Sequence, residues 1–280
     1  MLFKILVFLI IIFLILVFIY FSGGTIKEMK NIKGKKVRRE DSIKIPKTIM
    51  QTIKNKEIPI RLMKYIDKIS EHNPSFSREI YDDKDIENFI KDDPKLVEAY
   101  KNIDIGVVKA DFFRLVWLLK NGGVYADIDM ISLKEMENLD NIDTLILHDR
   151  KKDELVFHFL ASVKENPIIK KTLEECITNI NEKKHLKGHG SNKTGFVSKI
   201  CGPEVFTKVF KEEMEIKKLE ETELTKDGMT IRIIDSEKYD QILSHKHIGW
   251  SYYVDTYRIG QAYWGVRYDN IKHILAGFFI

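Results

Sequence analysis

The sequence predicts an α/β fold carried behind one membrane-spanning helix, and three observations lead there. Leu2–Phe21, "LFKILVFLIIIFLILVFIYF", is an apolar run with Lys4 as its only charge, long enough for an α-helix to cross a hydrocarbon core. Further on, short β-type runs alternate with helical patterns, and strands alternating with helices build α/β sheets. The chain beyond the linker suffices for one domain with a sizeable core. The expected organisation is a transmembrane signal anchor at 1–22, a basic linker at 23–42 and one folded domain at 43–280.

A cleaved signal peptide has a shorter apolar core than this run, so an uncleaved single-pass anchor is expected. Lys27, Lys30, Lys33, Lys35, Lys36, Arg38 and Arg39 follow the helix, while Lys4 precedes it. By the positive-inside rule these cations place the domain in the cytosol. They also account for much of the net charge of +4 and suit anionic lipid headgroups. The remainder is close to neutral, which argues against nucleic acid as a partner. Cys176 and Cys201 are the only cysteines, too few for a disulfide scaffold or a zinc site. They read as buried small hydrophobes, or as one bridge in an oxidising compartment.

"IPKTIMQTI" (45–53) reads as a strand, followed by a helix at about 60–70. "HNPSFSREIYDD" (72–83) gives a turn, a short extended piece and acids suited to a helix N-terminus, with the helix running through Ile90. "KADFFRLVWLLKNGG" (109–123) is the clearest helix, with Phe112, Leu115, Val116 and Leu119 at helical spacing and Gly122-Gly123 as its stop. "VYADIDMIS" and "TLILHD" (144–149) read as strands, and 168–179 as an amphipathic helix. A polar loop at 183–192, a helix at 202–219 entered through Pro203 and a strand "MTIRIID" (229–235) complete the pattern.

The chemistry centres on "NGGVYADIDM" (121–130). On a strand Asp127 and Asp129 point to one face, with Ala126, Ile128 and Met130 on the other. Two carboxylates in one small volume repel unless a cation neutralises them. Hard oxygen donors suit Mg²⁺ or Mn²⁺, which keep positions open for phosphate oxygens. A lone D-x-D is more often a solvated turn; the apolar helix and double glycine that lead into this one favour a site. Asp111 and Arg114 stand one helical turn apart and share a face.

"KADFFRLVWLLKNGGVYADIDM" resembles the core of the sugar transferases with a DXD motif, glycosyltransferase family 32, and the same segment of bacterial glucosylating toxins. "IPKTIMQTI" and "NPSFSREIYDDKDIENFI" are similar to upstream family segments, with Met50 where a histidine is usual and Tyr81 in place of tryptophan. The resemblance implies a GT-A type, Rossmann-like nucleotide-sugar-binding fold and transfer with retention of anomeric configuration. It further implies that Asp129 ligates the metal and that Asp127 contacts the donor sugar or ribose and reaches the metal. Asp111 and Arg114 would hold the donor, with the guanidinium near phosphate, and Tyr125 would line the donor pocket. From "SHKHIGWSYY" (244–253), His247 is the candidate third metal ligand and Trp250 a cap on the donor.

The donors used in the family are GDP-mannose, UDP-galactose and UDP-glucose, and the acceptor is a glycan, glycolipid or glycoprotein. The family also favours a lumenal domain, against the charge rule. Two other readings compete. A haloacid-dehalogenase-like phosphotransferase needs Thr or Val where Ile131 stands, and an inactive carbohydrate-binding protein would not need Asp111, Arg114, Asp127 and Asp129 all intact.

Overall fold

The computed structural model describes residues 44–53, 56, 58, 63, 66–183 and 194–244, all within the compact unit Ser42–Ile280. The expected anchor and basic linker, the expected polar loop at 183–192 beyond Lys183, and the stretch carrying His245, His247 and Trp250 lie outside the described residues. Among the described residues no helix is long and apolar enough to cross a membrane.

The centre is a seven-stranded sheet in the order β2-β1-β3-β6-β5-β8-β7. Its strands are β1 (Thr48–Thr52), β2 (Ser77–Tyr81), β3 (Gly123–Ala126), β5 (Thr144–Asp149), β6 (Glu154–Ser162), β7 (Thr222–Lys226) and β8 (Met229–Asp235). A two-stranded ladder joins β4 (Ile131–Ser132) to β9 (Leu243–Ser244). β1 pairs in parallel with β2 and β3, and β5 with β8. The pairs β3–β6, β5–β6 and β7–β8 are antiparallel, so the sheet is mixed. Short connections dictate the antiparallel pairs β5–β6 and β7–β8, because a crossover to a parallel neighbour needs a dozen or more residues. β7 and β8, for example, are joined through Asp227 and Gly228, with φ 51° and 76°, the paired positive values of a tight hairpin.

The helices are α1 (Lys68–His72), α2 (Asp83–Ile90), α3 (Pro94–Lys101), α4 (Gly106–Asn121), α5 (Pro167–Lys183), α6 (Thr194–Cys201), α7 (Pro203–Met214) and α8 (Ser236–Tyr239). Asp82 and Asp85 close a capping box at the start of α2, satisfying two backbone N–H groups reciprocally. The helix α3 is absent from the sequence reading, although Asp93 caps it through the amides of Lys95 and Leu96 and Pro94 opens it. β6 and β7 are also additions to that reading.

Alternation along the strands splits the core into two layers. Met50 and Tyr125 join the cluster shared with α4, α5 and α7, while Ile49, Val124 and Ala126 face the cluster of Met136, Leu139 and Tyr239. α4 packs on β3 and β6 and is overlaid by α5 and α6. It is therefore buried on nearly every side from Phe112 to Leu118, more completely than an amphipathic stripe requires.

The turn from α4 into β3 uses two glycines with positive φ, 68° at Gly122 and 111° at Gly123. A Cβ on Gly122 would stand 2.6 Å from the Lys164 amide nitrogen, and one on Gly123 would stand 2.8 Å from the Thr48 carbonyl. Both neighbours are backbone and cannot move aside cheaply. Gly122→Ala is expected to cost on the order of 2–3 kcal/mol from strain and overlap. Differential scanning calorimetry should show Tm lower by about 5–10 °C.

The expected strand "VYADIDMIS" needs correction. β3 ends at Ala126, residues 128 and 129 form a turn, and the chain resumes as β4 at Ile131. The Met130 amide donates to the Asp127 carbonyl at 3.1 Å, closing a β-turn over the aspartates. Ile128 and Met130 are buried as expected, but in separate clusters.

Candidate active site

β1, β2, β3, β5 and β8 run in one direction, so their carboxyl ends share one sheet edge. The Asp127–Met130 turn sits on that edge at the end of β3, next to β1 and β6. The backbone around Asp127 is held from both neighbours. Its amide donates to the His158 carbonyl of β6 at 2.8 Å, and the Gln51 side-chain amide of β1 donates to its carbonyl at 3.4 Å.

Arg114 is the centre of the site and is only 4% exposed. One guanidinium nitrogen, Nη2, lies 2.8 Å from Asp111 Oδ1 and 3.4 Å from Asp127 Oδ1. Nη1 donates to the Phe157 carbonyl, and Nε donates to the Ala110 carbonyl at 3.4 Å. The guanidinium also lies over two rings, 4.2 Å from the Tyr125 centroid and 4.9 Å from that of Phe157. Planar, multidentate contact of this kind is what distinguishes arginine from lysine. A desolvated cation with paired partners is costly to disrupt, at about 3–5 kcal/mol when one partner is removed.

Tyr125 points from β3 toward α4, and its hydroxyl donates to Asp127 Oδ1 at 2.5 Å. Its oxygen is also 3.4 Å from Thr52 Oγ1. Burial raises the Tyr125 pKa well above the ordinary phenol value, with Arg114 opposing the rise and Asp127 adding to it. The hydroxyl is therefore a stable donor to Asp127. Burial likewise raises the Asp111 pKa to about 7, against the pull of the Arg114 charge and with a further push from Asp127.

Asp111, Arg114, Tyr125 and Asp127 thus form one contiguous network, and Asp129 lies two residues further along the same turn. Asp111 is 4% exposed, so its carboxylate lies behind Arg114 rather than on an open surface. Asp127 and Asp129 are both half-buried. Among the described residues no group of three or more His, Cys, Asp or Glu side chains could hold a metal ion. The two turn aspartates do supply hard oxygen donors, and their carboxylates suit a cation that takes its other ligands from a bound phosphate or from elsewhere in the chain. Met50 is fully buried and stands opposite Tyr125 in the ladder. Tyr81 packs against Phe89 and Phe113 and donates to Glu79 at 2.8 Å.

Sequence reasoning missed Gln51. It is fully buried, reaches the Asp127 carbonyl, and leaves its own Oε1 without a partner among the described residues. The signal was present as the last polar residue of the I-P-K-x-I-x-Q stretch, but an apolar strand pattern gives a lone glutamine no visible role.

Residues 59–152 match the family described as a glycosyltransferase sugar-binding region containing a DXD motif. The match spans about a third of the chain and takes in Asp111, Arg114, Asp127 and Asp129. It is 28% identical over 204 residues to the initiation-specific alpha-1,6-mannosyltransferase of Candida albicans, covering 60% of this chain and 53% of that protein. The Schizosaccharomyces pombe protein of the same name is 36% identical over 100 residues, covering 34% of this chain and 25% of that one. The chain thus spans about half the length of the first relative and a quarter of the second. Among solved structures, the PaToxG glycosyltransferase is similar with a TM-score of 0.48 and 24% identity, over 61% of this chain and 70% of that one.

The raised Asp111 pKa has a consequence for stability. Its folded pKa is about 7, against an ordinary value of about 3.9 unfolded. The folded state therefore binds more protons between these values, and this contribution to stability is full below about pH 4 and lost as pH rises to about 7. Asp111→Asn removes it. In metal-free buffer, the unfolding free energy from denaturant titrations between pH 4.5 and 7.5 should fall less steeply in the variant, by at most about 1.4 kcal/mol per pH unit; equal slopes would contradict the assignment.

Proposed function

We propose that this chain is a metal-dependent, retaining glycosyltransferase of GT-A type that moves a hexose from a nucleotide sugar to a glycan, glycolipid or glycoprotein acceptor. The observation that carries the reading is the buried Arg114 guanidinium, fixed between Asp111, Asp127, Tyr125 and Phe157 beside the aspartate turn. Both relatives are named as mannosyltransferases, which favours GDP-mannose over UDP-galactose or UDP-glucose. The reading assigns catalysis to residues 43–280, with 1–22 as a single-pass anchor that holds the domain on the lumenal side of a membrane.

The resident cation would be Mn²⁺ or Mg²⁺, held by Asp129 and Asp127 with His247 as a third ligand. When bound it supplies positive charge to the diphosphate. Arg114 contributes a second, fixed positive charge toward the same group, and a preorganised charge acts where the leaving group gains negative charge. Asp111 keeps the guanidinium in place. The Tyr125 hydroxyl orients Asp127, whose carboxylate accepts from sugar or ribose hydroxyls, and Trp250 covers the donor. The acceptor hydroxyl forms its bond to the anomeric carbon on the face from which the diphosphate departs, and its proton passes to the diphosphate oxygen.

The test is thermal stabilisation of the full-length chain in detergent by GDP and by UDP, each with and without Mn²⁺. A nucleotide at about 100 times its Kd should add about 2.7 kcal/mol, and only in the presence of metal. Asp129→Ala should abolish that increment and lower donor hydrolysis by about 100-fold or more, comparable to losing one key electrostatic contact. Stabilisation by neither nucleotide, or unchanged turnover in Asp129→Ala, would overturn the reading.

A further inference from the structure

The two cysteines of the chain lie far apart in sequence and together in space. Cys176 is on α5, and Cys201 is the last residue of α6. The two helices pack on one another. Both side chains are fully buried in the core cluster that includes Phe112, Leu115 and Phe206. They are free thiols, and Cys176 is among the neighbours that raise the Cys201 pKa.

Their position ties them to the site, because α6 packs against α4, which carries Asp111 and Arg114. Gly202 follows Cys201 directly and leads into α7. From α7, the Thr207 hydroxyl accepts the Leu155 amide of β6 at 2.9 Å. Two residues on, the Phe157 carbonyl accepts from Arg114. The thiol pair thus stands behind the elements that hold the guanidinium.

We propose that Cys176 and Cys201 are an oxidisable pair whose disulfide pins α6 to α5 and closes the loop 177–200. Two buried cysteines in one core cluster, carried on helices that pack on one another, are placed for a bond whose S–S distance is about 2.05 Å. Burial raises the Cys201 pKa and disfavours its thiolate, the reactive form, so exchange proceeds while the chain folds or when α6 opens. With a small-molecule disulfide such as glutathione disulfide as oxidant, one cysteine thiolate attacks it and expels one glutathione thiolate. The second cysteine thiolate then attacks the mixed disulfide and expels the other. The protein loses two electrons and two protons, and the oxidant becomes two glutathione thiols. This inference does not depend on the transfer reaction proposed above.

The experiment uses the full-length chain, reduced, unfolded in denaturant and returned to detergent buffer with a glutathione disulfide/glutathione couple. Samples are quenched with acid, alkylated in denaturant and weighed by mass spectrometry. The expected product is unalkylated chain about 2 Da lighter than the reduced one, the mass of the two hydrogens given to the oxidant. Its Tm should be about 5–10 °C higher than that of the reduced chain, as closing a loop of this size predicts, and dithiothreitol should reverse the shift. Cys201→Ser should retain one alkylatable thiol or one glutathione adduct, with a Tm insensitive to dithiothreitol. Two alkylated cysteines in the refolded wild type, or glutathione adducts on both, would overturn the proposal without reference to any variant.

Discussion

A guanidinium taken out of water has to find its partners within the fold, and Arg114 finds them on separate elements. Asp111 comes from its own helix α4. Asp127 and the Tyr125 ring come from the end of β3, and the Phe157 carbonyl and ring come from β6. Only one relative placement of helix and strands satisfies all of these contacts together. A slip of one residue in β3 would turn Tyr125 to the opposite face of the sheet and leave a buried charge short of a partner. The core can tolerate some hydrophobic repacking; the charge network cannot tolerate a change of register.

Element lengths explain how the network closes. From Arg114 to the end of α4 the helix advances about 10 Å at its usual rise. The double glycine then reverses the chain, and from Gly123 to Asp127 an extended strand returns about 13 Å. Helix and strand lie against one another, so the two distances bring Arg114 opposite Asp127. Positive φ at both glycines makes a reversal tight enough for this match. The close approaches to Lys164 and Thr48 also exclude side chains from it. The glycine pair therefore belongs to the site even though it contributes no side chain to it.

This part of the molecule was legible in the sequence because its signals are local. Helical spacing from Phe112 to Leu119, the Asp111–Arg114 interval and the glycine stop all lie within a few turns of each other. β1, β5 and β8 were legible for a similar reason, as short β-branched runs flanked by polar residues. Less was visible where tertiary pairing decides. β6 carries "ELVFHFLAS", whose alternation is blurred by the register shift between Ile146 and His148 on its partner. β7 is a polar edge strand, "TELTK", that becomes a strand through pairing with β8. The aspartate pair was assigned to a strand because its period-two pattern is that of a strand. The turn won because Ile128 and Met130 are claimed by different apolar clusters, which a straight strand with both residues on one face cannot serve.

That turn changes the electrostatics of the two aspartates. Strand alternation would have placed both carboxylates side by side, with mutual repulsion as the dominant interaction. In the fold, two donors, Tyr125 Oη and Arg114 Nη2, both approach Oδ1 of Asp127, so its charge is shared with a phenol and a guanidinium. The same guanidinium is drawn upon by Asp111, and the burial that raises the Asp111 pKa to about 7 means that its demand on Arg114 varies across the neutral range. When Asp111 is protonated, Arg114 faces Asp127 with less competition; when it is ionised, two carboxylates share one cation and the site carries a negative excess. An added cation near the turn would relieve that excess, and its attraction grows as Asp111 ionises. By the same coupling, the phosphate of a ligand at this site would compete with Asp111 for Arg114. Proton, cation and anion would thus be linked through one buried side chain, by Coulomb interactions alone.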